Sequence, residues 1–274
     1  MTSAANAAPP IASASVPLPL AFARQTLAVA QAELRKIFRD PVEIFSRSVQ
    51  QTLWLLVFGQ VFGRLRAIPT GSVSYLEFMT PGVLAQSVLF TSIFYGIGVI
   101  WEKDLGILQK LLVSPAHRGA LVLGKALTAG ARALAQAVII YAVALALGVR
   151  IHFAPQAILG VMVAVVLGAA VFSTFSLIVA CLMKTRERFM GIGQVLTMPL
   201  FFASNAIYPL ELMPGWLKAV ARINPLSYLV DLLRTMMLGS SPSAFGVAVD
   251  LAVLFGALGV MLITAARLYP TVVR

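Results

Sequence analysis

The chain has little charge, less acid than base, and almost none of the side chains that metal or nucleophilic chemistry draws on. Only 11% of its 274 residues are charged, and 10 acidic residues stand against 21 basic ones. A soluble domain carries about 25% charged residues to keep its surface hydrated, so this composition excludes an ordinary water-exposed globule. The single cysteine, Cys181, can form no intrachain disulfide, and its apolar surroundings suit a small buried side chain. Two histidines, His117 and His152, and dispersed carboxylates offer neither a ligand cluster nor an acid/base pair, which argues against a membrane-embedded enzyme. What the chain does have is hydrophobicity: 59% of its residues are apolar and its mean hydropathy is +0.91.

At about 20 apolar residues per crossing, that material makes six membrane-spanning helices in one all-α domain, residues 41–274. They are expected at 41–63, 81–100, 121–148, 155–183, 189–207 and 245–266. Asp40-Pro41, Thr80-Pro81 and Ser114-Pro115 each set a capping side chain before a proline suited to the first helical position. Residues 1–20 are rich in Ala, Ser and Pro without a basic residue, so they read as a disordered cytosolic tail and not as a signal peptide. Between 21 and 40 the pattern becomes that of an amphipathic helix lying on the membrane surface: Leu27, Ala30, Leu34, Ile37 and Phe38 share one face, opposite Arg24, Gln31, Arg35 and Arg39.

Six crossings put both termini on one side. That side collects most of the basic residues, among them Arg35, Lys36, Lys103, Lys110, Lys184 and Arg186, and is therefore cytoplasmic. Attraction to anionic lipid accounts for the net charge of +11, and no nucleic-acid partner is needed.

The second and third spans are separated by a charged stretch with its own period. Trp101, Leu105, Leu108 and Leu112 recur at helical spacing, with Glu102, Lys103, Gly106, Gln109 and Lys110 on the other side. This predicts a short helix at about 102–113 along the cytoplasmic surface, ended by Ser114-Pro115. Gly119 to Lys125 then matches the GxxxxGK of a phosphate loop. Ala126 follows where a hydroxyl should hold Mg²⁺, and the segment is helix-forming, so ATP binding is not expected here. Arg118, Lys125 and Arg132, seven residues apart, form one cationic stripe expected to meet lipid headgroups by snorkelling. A sharper reading has the stripe receive an anionic or polar cargo headgroup from the inner leaflet.

On the far side, residues 208–244 are too apolar for a solvated loop. Asn224-Pro225 can start a helix that Gly239 ends, with Asp231 and Arg234 spaced to pair on it. A shorter helix precedes it at 214–223, with Trp216, Leu217 and Val220 facing one way. The expectation is a re-entrant helical pair dipping into the outer leaflet, after a fifth span bent at Pro199; irregular backbone at that depth must be covered by protein or a wet cavity.

The segments EKDLGILQKLLVSP with the following LGK, YPLELMPGWL and NPLSYLVDLLR together resemble the permeases of ABC-2 type transporters, the membrane subunits of ABC exporters. The resemblance runs from about residue 21 to the C-terminus and is strongest to the drug-resistance and nodulation lipo-oligosaccharide branch. It implies that the 102–113 helix is a coupling helix seated in a separate ATPase subunit, with Glu102, Lys103, Asp104, Gly106 and Lys110 at the contact. Ile107 and Gln109 depart from the Thr and Glu common there, so a hydroxyl and a carboxylate are absent. It further implies that ATP and Mg²⁺ are bound by two copies of that partner and no cofactor by this chain, that a second permease subunit pairs with this one as a homodimer or as a heterodimer with a similar chain, and that the complex sits in the bacterial cytoplasmic membrane. An amphipathic cargo is expected along the second and fifth spans, at Gln86, Phe90, Phe94, Gln194, Met198, Phe201, Phe202 and Asn205. The alternative, a gradient-driven carrier, needs ionisable groups near the midplane, whereas Glu43, Glu77, Glu187, Glu211 and Asp250 all fall near span ends.

Overall fold

The computed structural model describes residues 41–65, 68–70, 73–105, 118–183, 185–239 and 243–268, with positions 24, 26, 27 and 31 before them. Most of the expected surface helix at 21–40 and of the coupling helix at 102–113 lies outside the described residues. Among the described residues every regular element is helical.

The first run begins at Pro41, where the sequence places it: α1 (Pro41–Leu53), a π-helical turn (Trp54–Gly59) and α2 (Gln60–Leu65) follow without interruption. Trp54, Phe58 and Phe62 stack along it, with centroids 4.3 and 6.0 Å apart, and Phe62 meets Tyr75 at 5.8 Å. Then come α3 (Tyr75–Asp104), α4 (Arg118–Ala146), α5 (Pro155–Leu182) and α6 (Arg186–Phe202). A single 3₁₀ turn (Leu210–Leu212) leads to α7 (Gly215–Ile223), α8 (Pro225–Leu238) and α9 (Val247–Leu268). Four of these, α3, α4, α5 and α9, are long and apolar enough to cross a membrane.

Several expected boundaries move, two of them by several residues. The second span was placed to start at Pro81, yet α3 begins at Tyr75. Ser74 and Glu77 form a reciprocal capping box, the Ser74 amide donating to Glu77 Oε2 (2.8 Å) and the Glu77 amide to Ser74 Oγ (3.2 Å). Thr80 then donates to Leu76 O inside the helix and leaves Pro81 in its second turn. The fifth span was drawn to residue 207, but α6 stops at Phe202, shortly after the internal Pro199. It starts at Arg186, where Thr185 Oγ1 accepts the Arg188 amide at 3.4 Å.

α5 forms the centre, packed against α3, α4, α8 and α9. Its middle is built of small residues, with Ala164, Gly168, Ala169, Ala170, Ser173 and Thr174 all buried. Small side chains let helix backbones approach closely, which is how helices associate when lipid is as apolar as they are. The same device operates on α3. A side chain at Gly96 would run into Ser176 Oγ and the Phe189 ring, and one at Gly82 would run into the carbonyl oxygen of Ala206.

The helix pairings fix two ends of the bundle. Val99, Leu121, Val122, Leu177 and Ala265 cluster at one end, joining the end of α3, the start of α4 and the ends of α5 and α9. At the other, Tyr75 Oη donates to Ile207 O and the His152 amide to Met237 O.

The two glycine contacts on α3 separate packing from propensity. Gly82→Ala should destabilise by about 1–3 kcal/mol, because the obstacle is backbone. Gly98→Ala, with nothing within 4 Å of the new methyl group, should be neutral or stabilising by about 0.5–1 kcal/mol. Thermal unfolding in detergent should therefore lower the midpoint only for the first variant.

Candidate functional site

Between α1 and α3 lies a cleft of about 270 Å³ lined by Gln50, Gln51, Phe90, Thr91 and Phe94. Phe90 and Phe94 lie one turn apart on α3 with ring centroids 6.2 Å from each other. Opposite them Gln51 is 3% exposed, and its Oε1 has no hydrogen-bond partner. Behind the cleft Ser87 Oγ (2.7 Å) and Thr91 Oγ1 both donate to Gln136 Oε1 on α4, which ties the polar side of α3 to α4. Such a cleft presents aromatic faces beside an unmet amide acceptor. A buried acceptor left unpaired costs about 1–3 kcal/mol, so the site favours a guest with an apolar body and a hydroxyl or N–H to donate.

The expected cargo-path residues divide. Gln86, Phe90 and Phe94 recur on one face of α3; Gln86 is buried one turn from Phe90 with its Oε1 also unpartnered. Phe201 is buried and meets Trp54 edge-on at 6.0 Å, which brings α6 to the π turn after α1. Gln194 and Phe202 are exposed and Met198 half-buried, so α6 turns part of its predicted lining away from the cleft. Asn205 lies beyond α6, buried, with neither side-chain amide atom bonded. Sequence reasoning missed the α1 wall and Gln136. The available signal was three glutamines, Gln50, Gln51 and Gln136, inside expected spans where amides are costly.

The charged end is arranged differently from its spacing. Lys125 is buried, and its Nζ lies 2.5 Å from Glu102 Oε2. Tyr95 sits between two cations of α4, with Lys125 Nζ 6.0 Å and the Arg132 guanidinium 5.6 Å from its ring centroid. The stripe seven residues apart thus looks into the α3–α4 interface at Lys125 and Arg132, and Lys125 meets a carboxylate where a lipid headgroup was expected. Residues on one helical face need not face lipid when a neighbouring helix covers that face. Glu102, expected at the ATPase contact, is correspondingly engaged within the chain. The side chains of Lys103, Asp104 and Arg118, and all of Gly106 and Lys110, lie outside the described residues. Gly119 to Lys125 is helical, as its sequence suggests. Trp101 is stacked under the Arg186 guanidinium at 3.8 Å, linking the ends of α3 and α6.

At the opposite end, Asn224 and Pro225 start α8 and Gly239 ends it with φ 63° in the left-handed region, as the sequence indicates. Asp231 and Arg234 hydrogen-bond to different partners. Arg234 donates to Asn205 O at 2.7 Å and lies 3.9 Å from the Phe78 ring centroid. Asp231 accepts from Ser243 Oγ and the Phe245 amide. On α7, Trp216, Val220 and Ile223 remain exposed together.

Residues 24–238 match the model of the family described as ABC-2 type transporter. A putative transport permease of Cyanophora paradoxa is 29% identical over 205 residues, which cover 74% of this chain and 70% of the relative. The daunorubicin resistance ABC transporter permease of Streptomyces coeruleorubidus is 27% identical over 230 residues, 84% and 80% of the two chains. Nodulation protein J of Rhizobium meliloti is 28% identical over 184 residues, 66% and 67%.

The Glu102–Lys125 pair yields a test of the charged end. Glu102→Ala removes the carboxylate opposite a buried ammonium and should cost about 3–5 kcal/mol, whereas Glu102→Leu with Lys125→Met should recover most of it. Chemical denaturation of the three proteins in one detergent would check this, a double variant no better than the single one being the contrary result.

Proposed function

The chain belongs to the ABC-2 type transporter family, and from that premise we propose that it is the membrane subunit of an ATP-driven exporter for an amphipathic cargo. The observation that supports this most directly is the cleft of Gln50, Gln51, Phe90, Thr91 and Phe94. It joins aromatic surface to a buried, unpaired amide, a combination that suits a molecule with both an apolar body and a polar group better than it suits an ion. Relatives named for daunorubicin resistance and for nodulation are in keeping with a cargo of that kind.

In this reading the membrane domain has six spans. The run α1 to α2 is the first, broken by its π turn, and α6 is the fifth, short because it stops at Phe202. α7 and α8 are the re-entrant pair on the outer side, with Trp216, Val220 and Ile223 in the outer leaflet. Both termini face the cytoplasm, and Arg118 reaches the inner-leaflet headgroups.

Two copies of a separate ATPase subunit bind ATP and Mg²⁺, and a second permease subunit, identical or similar, completes the pathway. Residues 102–113 dock on the ATPase. ATP must then favour one arrangement of the permease pair over the other, because a ligand with equal affinity for both shifts nothing. Glu102 stands at the root of that docking segment and is clamped to α4 through Lys125. A push on the segment therefore moves α3 and α4 together, and α3 is the helix that presents Phe90 and Phe94 to the cleft.

The experiment is reconstitution in vesicles with and without the co-expressed ATPase. The complex should hydrolyse ATP faster when supplied with a lipophilic aromatic amine, and Gln51→Leu and Phe90→Ala should each reduce that stimulation several-fold while sparing basal hydrolysis. The permease alone should hydrolyse none. Accumulation driven by an ion gradient without any ATPase would instead favour a secondary carrier.

A further inference from the structure

A second cavity, of about 740 Å³, lies at the end of the bundle remote from Glu102. Its walls are α2, residues 68–70 and 73–76 around the start of α3, and residues 147–149 after α4. That volume falls within the roughly 300–1,000 Å³ usual for small-molecule sites, and the cleft at Phe90 shares none of its lining. The two spaces nevertheless lie along one seam between the α1–α2 run and α3. At 1.5 Å per helical residue, Gln50 of the cleft and Arg64 of the cavity stand roughly 20 Å apart along that run.

Glycines keep the space open. At Gly59 the run comes so close to α3 that a Cβ would strike the Leu76 side chain, yet one turn further, at Gly63, a Cβ would meet nothing within 4 Å. Gly148, with φ 81° in the left-handed region, turns the chain along another wall and is equally open. The walls thus touch at Leu76 and diverge beyond it, where larger residues would close the gap.

Into this space α2 brings one cation. Arg64 is exposed, and among the described residues its guanidinium has neither an ion pair nor a hydrogen bond. The lining residues include no Asp or Glu; Glu77, which adjoins them, accepts the Ser74 amide and lies beside Arg150. The helix dipole alone favours a cation in a last turn, so the charge by itself says little. Its place on the wall of a cavity that glycines hold open is what points to a ligand. Neutral donors accompany it: Gln60 carries an amide one turn before Arg64, and Ser74 Oγ accepts the Glu77 amide while keeping its own proton to give. A guanidinium with such donors matches the oxygens of a phosphate.

An apolar track leads away from the same cavity. Tyr75 lines it with its ring, the hydroxyl being bonded to Ile207 O. Phe62 and Phe58 continue from that ring, with successive centroids 5.8 and 6.0 Å apart, and Phe58, Val61 and Leu65 are exposed along α2 and the turn before it.

We propose that this cavity is a binding site for an anionic amphiphile with a phosphate headgroup, the head meeting Arg64, Gln60 and Ser74 and an acyl chain lying along Phe62 and Phe58. The site rests on the reading of the α1–α2 run as a span, since that run must lie in the bilayer, but it requires no ATPase.

Native mass spectrometry of the full chain in a neutral detergent, titrated with phosphatidylglycerol or phosphatidylcholine, tests this apart from any transport assay. The chain should retain one phosphatidylglycerol in preference to phosphatidylcholine. Arg64→Gln should weaken phosphatidylglycerol binding about tenfold, the order of one hydrogen bond to a charged group, and Arg64→Lys should fall between. Gly63→Leu leaves the charge in place but fills the cavity, so it should remove the saturable site without lowering the thermal midpoint. Equal retention of the two lipids would overturn the proposal, as would unchanged phosphatidylglycerol binding in Arg64→Gln or in a folded Gly63→Leu. Displacement of the lipid by an equal concentration of inorganic phosphate would overturn it in favour of a free-anion site.

Discussion

The constraint on which the rest depends is that backbone polar groups inside a bilayer must find partners within the protein. It bears hardest on the chain between the end of α6 and the start of α8, where helical bonding ceases among otherwise apolar surroundings. Asn224 meets much of it with one side chain. Its Nδ2 donates to Leu200 O at 2.7 Å and to Ala203 O at 3.0 Å, closing the open end of α6, while its Oδ1 accepts the Leu226 amide at 3.0 Å to begin α8. Arg234 meets the next exposed carbonyl, donating to Asn205 O at 2.7 Å. Without these donors the broken backbone would have only lipid or water to turn to. With them, α8 is held deep in the bundle, and most of its residues are buried.

That buried α8 and the turn before it dictate how α3 can run. The turn crosses α3 at Gly82, where the Ala206 carbonyl leaves no room for a side chain, and Phe78 lies under the Arg234 guanidinium. α3 is therefore fixed at its first turns by backbone contact and at its far end by the Glu102–Lys125 pair. Between these anchors it presents Gln86, Phe90 and Phe94 on one face and the Ser87 and Thr91 hydroxyls to Gln136 on another. The cleft is thus formed between a braced helix and the π-interrupted run of α1 and α2. π turns interrupt regular helical bonding and recur at functional sites, so the less regular wall of the cleft is the one that need not stay fixed.

The features legible in the sequence were those written in local chemistry. Pro41 and Pro155 open helices where their missing N–H groups cost nothing, and Asn224-Pro225 with Gly239 brackets α8. The start of α3 was misplaced because a proline inside a second turn looks the same as one at a first turn; the box that decides the matter is the short segment Ser74-Tyr75-Leu76-Glu77 ahead of it. The surroundings of Lys125 were not legible for a different reason. Periodicity tells which residues share a face and not what covers it, so a cationic stripe packed on Glu102 and Tyr95 reads the same as one facing headgroups. The cleft was half legible: aromatic spacing on α3 marked one wall, while the opposing wall depended on which helix lies beside α3, a tertiary fact that no local pattern contains.

The distribution of buried polarity also bears on how motion could pass through the bundle. Lipid-facing surface gives no purchase for a directed force, because dispersion contacts with acyl chains are interchangeable. Directional coupling needs contacts with discrete partners, and these sit at specific places: Glu102 with Lys125 at one end of α3, Gln136 with Ser87 and Thr91 along its length, and Ser176, whose hydroxyl donates to Ile93 O and accepts the Gly96 amide at 3.1 Å, across to α5. All three involve α3, so a displacement entering near Glu102 would be carried by α3, α4 and α5 as a body.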